Sequence, residues 1–222
     1  MRKFPWLILS AACLCAQAAR ADLPYAVGGA TTLDLGRYET HFAFPADAKA
    51  HVGRYGVSFS QPVAEDVSFL LHGGYLTLDL PDDPVTAPLG YSGRYLGLGG
   101  RYQGSRGDYL NFMAELTYTW HDVNGNGANQ QSEVIWYETR VLAGPVLRLG
   151  RWRLMGGGYW RRYTGDETDA GSVTRHLDLG QVSSTGAWLG IGWYVERDGS
   201  VSLYGTSGAD RGVKLVFTRE FD

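Results

Sequence analysis

The chain has 222 residues and a formal net charge of −3, with 31 glycines and 14 tyrosines against three lysines. Such mild acidity gives no electrostatic case for binding nucleic acid. No run of about 18 apolar residues follows the first 21 positions, which excludes a transmembrane helix but not a membrane span built from strands.

Residues 1–21 read as an export signal. Arg2 and Lys3 supply a positive start, Phe4 to Ala16 is short and mostly apolar, and Ala19-Arg20-Ala21 suits cleavage. A lipid anchor on Cys13 is the competing reading, but Ser10 stands where a large aliphatic is expected. Loss of Arg2, Lys3 and Arg20 takes the formal charge from −3 to −6 and leaves residues 22–222 as one domain. Cys13 and Cys15 both fall in the signal, so no disulfide framework holds that domain.

Abundant glycine and aromatics argue against helices and for β-structure. Period-2 alternation predicts ten strands, with eight as the alternative count, near 31–44, 50–63, 67–80, 91–104, 108–121, 133–149, 152–164, 184–197, 200–206 and 213–221. The fifth is the clearest. Leu110, Phe112, Ala114, Leu116, Tyr118 and Trp120 share one face, and Asn111, Met113, Glu115, Thr117, Thr119 and His121 share the other. Connections fall into two classes that alternate. Tight turns are expected at 64–66, 105–107, 150–151 and 198–199; mostly longer loops are expected at 45–49, 81–90, 122–132, 165–183 and 207–212. This is the plan of an up-and-down barrel, and its strands are long enough to cross a bilayer.

One loop carries a motif. From Asp122 the chain fills D-x-[DN]-x-[DN]-G-x5-E with Asp122, Asn124, Asn126, Gly127 and Glu133, the spacing of an EF-hand calcium loop. The flanks Leu116 to Trp120 and Val134 to Tyr137 read as strands, where an EF-hand has helices. The two Asn-Gly steps equally suit a hairpin turn. A calcium site at Asp122, Asn124, Asn126 and Glu133 is thus the minor expectation, an exposed hairpin the major one, and no other cofactor is expected.

The last strand brings in a resemblance. Val213, Leu215, Phe217 and Phe221 alternate and end on an aromatic, although Arg219 interrupts the face and Asp222 follows the aromatic. This resembles the C-terminal strand of outer-membrane β-barrel proteins, and residues 22–222 are similar in pattern to small Gram-negative barrels of the OmpA/OmpX kind. The resemblance implies a translocated, membrane-folded barrel in the cell outer membrane with both termini in the periplasm. Its partners would be outer-membrane lipid, lipopolysaccharide and the barrel-assembly machinery. In lipid a sheet can span only when closed. Trp120, Trp136, Tyr137, Trp160 and Trp188 are expected to form an interfacial aromatic girdle. A secreted lipocalin-like barrel, with the same alternation pointed inward, is the soluble alternative.

With the apolar phase outward, Glu115, Glu138, Arg140, Glu196, Lys214 and Glu220 face inward, and Glu138 or Glu196 should pair with Arg140 or Lys214. Gly157, Gly190 and Gly192 would widen the lumen, whereas Met113, Tyr159, Trp188 and Tyr194 would narrow it. A general porin takes about 16 strands and is excluded. Chemistry on the rim is weakly signalled. His51, His121 and His176 lie near loops, Asp82 and Asp83 in the second loop, and His176-Leu177-Asp178 in the fourth. An omptin-like protease would use an Asp/His pair there, and a lipid A deacylase a pair such as His121 with Ser132. The sequence favours a non-enzymatic barrel with a structural or surface-interaction role, its loops meeting an extracellular ligand. A narrow porin-like channel for small polar solutes or ions is the second reading and an outer-membrane hydrolase the third.

Overall fold

A computed structural model describes residues 29–43, 47–83, 85, 87, 89–105, 109–179 and 182–221; the export-signal and lipid-anchor readings concern positions outside them. Its strands are β1 (Gly29–Ala43), β2 (Asp47–Ala64), β3 (Val67–Asp79), β4 (Tyr91–Ser105), β5 (Leu110–Asn126), β6 (Gln130–Leu149), β7 (Trp152–Gly171), β8 (Arg175–Asp178), β9 (Val182–Tyr194), β10 (Gly199–Gly208) and β11 (Arg211–Phe221). Ten of them form an antiparallel ring in chain order, closed where β1 pairs with β11 from Gly29↔Phe221 to Glu39↔Arg211. The short β8 lies outside the ring, paired with the outer end of β7 from Asp166↔Asp178 to Asp169↔Arg175. The protein is a single up-and-down transmembrane β-barrel, whose closure pairs the strand edges that lipid cannot solvate.

Side-chain polarity divides the barrel into two storeys. In the turn-side storey the outward face is apolar. Leu110, Phe112, Leu116 and Tyr118 on β5, Val141 on β6 and Leu189 and Ile191 on β9 are all exposed. The lumen beside them is lined by Glu115, Thr117, Thr119, Glu138 and Arg140. Aromatic stacks mark both edges of this belt: Trp152 with Trp193 (6.1 Å) and Phe59 with Phe221 (6.2 Å) on the turn side, and Tyr118 with Tyr137 (6.1 Å) on the loop side. Beyond Trp120 the alternation continues but the polarity reverses. Asp122, Asn124 and Asn126 now face outward, whereas Val123 and Val134 are fully buried.

That reversal makes the loop-side storey a small soluble barrel with a packed centre. Phe42, Val52, Leu76, Leu78, Val123 and Val134 meet inside it, with Leu80, Leu89 and Leu179 added from the loops. Phe42 lies edge-on to both Trp136 (5.5 Å) and Tyr163 (5.2 Å). The lumen is therefore polar where lipid surrounds it and apolar where water does.

Several expectations are corrected. The segment 122–132 is mostly strand, with the turn confined to 127–129, and most of 165–183 belongs to the extension of β7 and to β8. Both extensions carry polar or charged residues on a face where lipid-facing strands are apolar, so they read as loops. Trp136 and Trp188 leave the expected girdle and face inward, 2% and 6% exposed. Glu196 lies in a turn and meets Arg219 (3.8 Å) instead of the lumen cations. Inside the barrel, ion pairs form instead between Arg101 and Glu115 (2.8 Å), residues opposite each other on β4 and β5, and between Arg161 and Asp210 (2.6 Å). Nor do inward glycines widen the lumen. A Cβ on Gly190 would lie 2.7 Å from the Tyr204 ring, and one on Gly56 would run into the Tyr95 hydroxyl. Gly56 and Gly190 each receive a neighbouring ring, whereas Gly192 receives the Ser202 hydroxyl and Gly157 lies against the Ala143 backbone.

Truncating the loop-side core should therefore be costly. Leu78→Ala is expected to lower the unfolding free energy by about 2–5 kcal/mol, through lost burial and a cavity. Asn124→Ala, on the outward face of the same storey, should stay within about 0.5 kcal/mol. Guanidinium unfolding of the detergent-folded protein measures both.

Candidate functional site

Two groups of polar residues lie inside the barrel. The larger lines a lumen cavity of about 460 Å³, which reaches the turn-side rim at Gly29, Pro62 and Phe221 and stops below the apolar core at Tyr38, Arg54 and His72. Alternation on each strand aims these side chains inward. Arg101 donates from both Nε (3.0 Å) and Nη2 (2.8 Å) to Glu115, so that pair is satisfied. Four other cations sit on tyrosine rings: Arg54 over Tyr95 (3.8 Å), Arg140 over Tyr159 (4.7 Å), Arg153 over Tyr194 (4.6 Å) and Lys214 over Tyr204 (5.4 Å). One wall is apolar, built from Met113, Leu142, Val146, Met155, Trp188 and Tyr204.

The ceiling is a stacked aromatic layer. His121 lies flat on Trp136 (4.3 Å between ring centres, 3° between planes), and Tyr95 bridges His121 (6.0 Å) and His72 (6.2 Å). His72 Nε2 is 2.9 Å from Thr119 Oγ1. Near the same level on the far wall Arg161 pairs with Asp210 (2.6 Å), and it donates to Ser184 (3.0 Å) and to Thr40.

The smaller group lies at the loop-side end, beyond the lipid-facing belt. Arg175 on β8 donates to Asp83 of the second loop and to Asp169 of β7, and it lies 3.6 Å from Glu167. Tyr91 and Ser132 hydroxyls both donate to Glu167 Oε1 (3.3 Å each). Burial, and then the neighbouring Asp169 charge, push the Glu167 carboxyl up to about 7. Burial opposes the Arg175 charge, but hydrogen bonds to Asp83 and Asp169 outweigh it and keep the guanidinium charged. This cluster clamps the loop, β7 and β8 together.

The residues singled out in the sequence are placed as follows. Asp122, Asn124 and Asn126 point outward at every second position of β5, and Glu133 stands opposite Asn124 on β6. The chain is extended here, where a calcium loop coils around its ion. Asn124 Nδ2 donates to Asp122 Oδ1 (3.3 Å), and Asp122 lies 3.8 Å from Arg94. His121 and Ser132 do not meet. In register His121 faces Trp136 and Ser132 faces Gly125, and the Ser132 hydroxyl is taken by Glu167. His176 lies 3.7 Å from Asp166 on the exterior, away from Asp83, which turns inward to Arg175; Asp82 instead accepts from the Lys49 amide (3.2 Å). His51 stands opposite Asp79 across the β2–β3 ladder. Sequence reasoning missed Asp34, Arg54, Arg153 and the Glu167 cluster. The only signal for them was charge at alternating positions inside otherwise strand-like runs.

No family pattern matches the sequence, and no curated protein matches it either. Solved structures do. The outer membrane protease OmpT of Escherichia coli superposes with a TM-score of 0.50 at 8% identity, over 91% of this chain and 98% of that one. The fold is that of an outer-membrane β-barrel. The translocator domain of the Neisseria meningitidis autotransporter NalP superposes at 0.48 with 9% identity, over 97% of this chain and 95% of that one. Neisserial surface protein A gives 0.44 with 10% identity, over 87% and 96%.

The Glu167 clamp predicts a pH dependence. A carboxyl whose folded pKa is raised stabilises the fold fully below the unfolded value of 4.5, and that stability is lost as pH rises through about 7. The barrel should therefore melt at lower temperature at pH 8 than at pH 5. Glu167→Gln should flatten this dependence and raise the melting temperature at pH 8; an unchanged profile contradicts the assignment.

Proposed function

We propose that this protein is a closed, non-conducting barrel of the Gram-negative outer membrane. Its turn-side rim faces the periplasm, and its loop-side storey stands beyond the lipid as a rigid surface for structural or recognition roles. The observation that carries this reading is the apolar core across the loop-side storey, where Leu76, Leu78, Val123 and Val134 are completely buried. Water and ions have no favourable path through a packed hydrophobic layer. The clamp of Arg175 to Asp83 and Asp169 supports a rigid outer surface in place of mobile loops.

A second observation supports the orientation and the lipid partner. Just beyond the last outward apolar side chain stands an outward arginine on four strands: Arg37 after Leu35, Arg94 after Leu96, Arg162 after Trp160 and Arg211 after Val213. Guanidinium groups at that height suit the phosphates of lipopolysaccharide in the outer leaflet. The alternating terminal strand β11 suits delivery by the barrel-assembly machinery.

Two outcomes follow. In planar bilayers the purified protein should show no discrete conductance steps, and reproducible steps would contradict the closed barrel. In nanodiscs, phosphorylated lipid A should raise the melting temperature more than its dephosphorylated form. The double variant Arg37→Ser, Arg211→Ser should lose that difference.

A further inference from the structure

The lumen cavity has a chemistry that a purely structural barrel does not require. Arg54, Arg140 and Lys214 line its upper part, where Lys214 lies within electrostatic range of Asp34 and Glu115 as well as of Arg140 and Arg54. Cations of a structural lumen are expected to be paired with carboxylates, since unpaired charge is costly away from bulk water. Among the described residues, only Arg101 of the lining cations has a carboxylate within 4.0 Å; Arg54, Arg140, Arg153 and Lys214 have tyrosine faces instead. The lining carries five cations and five carboxylates, but Glu115 is taken by Arg101 and Asp210 by Arg161 from outside the lining; Arg54, Arg140, Arg153 and Lys214 then share Asp34, Glu138 and the rim residue Glu220, which leaves one positive charge over.

The remaining hydrogen-bonding capacity points the same way. Nε of Arg54, of Arg140 and of Arg153, and Nε1 of Trp188, are buried donors that line the cavity and have no acceptor. Trp188 is 6% exposed, so its indole N–H is held well away from bulk solvent. It belongs to the apolar wall of Met113, Met155 and Tyr204 that faces these cations. Surplus donors and one surplus positive charge beside an apolar wall complement an acceptor-rich head carrying one negative charge on an apolar body. A volume of about 460 Å³ lies within the range of small-molecule sites.

We propose that the lumen cavity binds small organic monoanions, a carboxylate head among Arg54, Arg140 and Lys214 and an aromatic or short aliphatic body against Met155 and Trp188. The ligand enters from the turn-side rim. The site goes beyond the structural role and rests on the closed loop-side end only for this direction of entry, which the conductance measurement tests separately.

The test is a fluorine NMR titration of 3-(4-fluorophenyl)propionate into the full barrel in phosphatidylcholine nanodiscs, beside its neutral amide. The acid should show saturable binding that the amide lacks, which separates recognition of charge from partition into lipid. Arg140→Gln and Lys214→Gln should each weaken binding about tenfold, as expected for a lost charge-assisted hydrogen bond. Lys49→Gln, exposed at the loop-side end, should leave it unchanged. Equal behaviour of acid and amide, absence of saturation, or equal weakening by Lys49→Gln would overturn the proposal. If a lumen variant fails to fold, as judged by migration on unheated gels, the acid–amide comparison on the unaltered protein decides.

Discussion

A closed sheet that passes from lipid into water must exchange the faces on which it carries apolar side chains, and the rest of this structure depends on that exchange. A strand has only two faces. In lipid the outward face is apolar and the lumen takes the polar groups; in water the assignment reverses, as in any soluble barrel. Here β5 and β6 cross from one regime to the other within a few residues. Tyr118 and Tyr137 stack on the lipid side, whereas Val123 and Val134 are buried on the water side. The barrel is thereby packed with apolar side chains at one end and open to polar groups at the other, and its own strands and loops supply that packing.

The charged lumen is a consequence of the lower regime. Each inward position there must be polar or small, yet each charge must find a counterpart without bulk water. Arg101–Glu115 and Arg161–Asp210 meet this demand by direct pairing. The cations over tyrosine rings meet it only in part, because a ring face attracts a cation but does not neutralise it. That residual charge makes the cavity a candidate binding site.

Much of the ring was legible in the sequence, because alternation and turn composition are local signals. The face assignments on β5 from Asn111 to His121 held. The exchange of faces was less legible, since past Asp122 the apolar residues change phase and the strand no longer scores as lipid-facing. The motif Asp122, Asn124, Asn126 has period 2, which is the alternation of a strand as much as the ligand spacing of a calcium loop. Which aromatic ring faced in was also ambiguous: Trp136 and Tyr137 are consecutive, and only the register chose between them. The inward phase of Glu115, Glu138, Arg140 and Lys214 was legible, but which lumen groups meet was not. Arg54 and Arg140 lie on different strands of the ring, so their approach to Lys214 depends on the tilt and stagger of the closed sheet.

The exchange of faces can be measured directly. The barrel strands contain no cysteine, so a spin label can be placed singly at 116, 118, 122, 123, 124 and 134, and its collisions with dissolved oxygen and with a water-soluble nickel chelate compared in bilayers. The account predicts oxygen-dominated collisions at 116 and 118, nickel-dominated collisions at 122 and 124, and protection from both at 123 and 134. Oxygen-dominated collisions at 124, or free nickel access at 123 and 134, would contradict it.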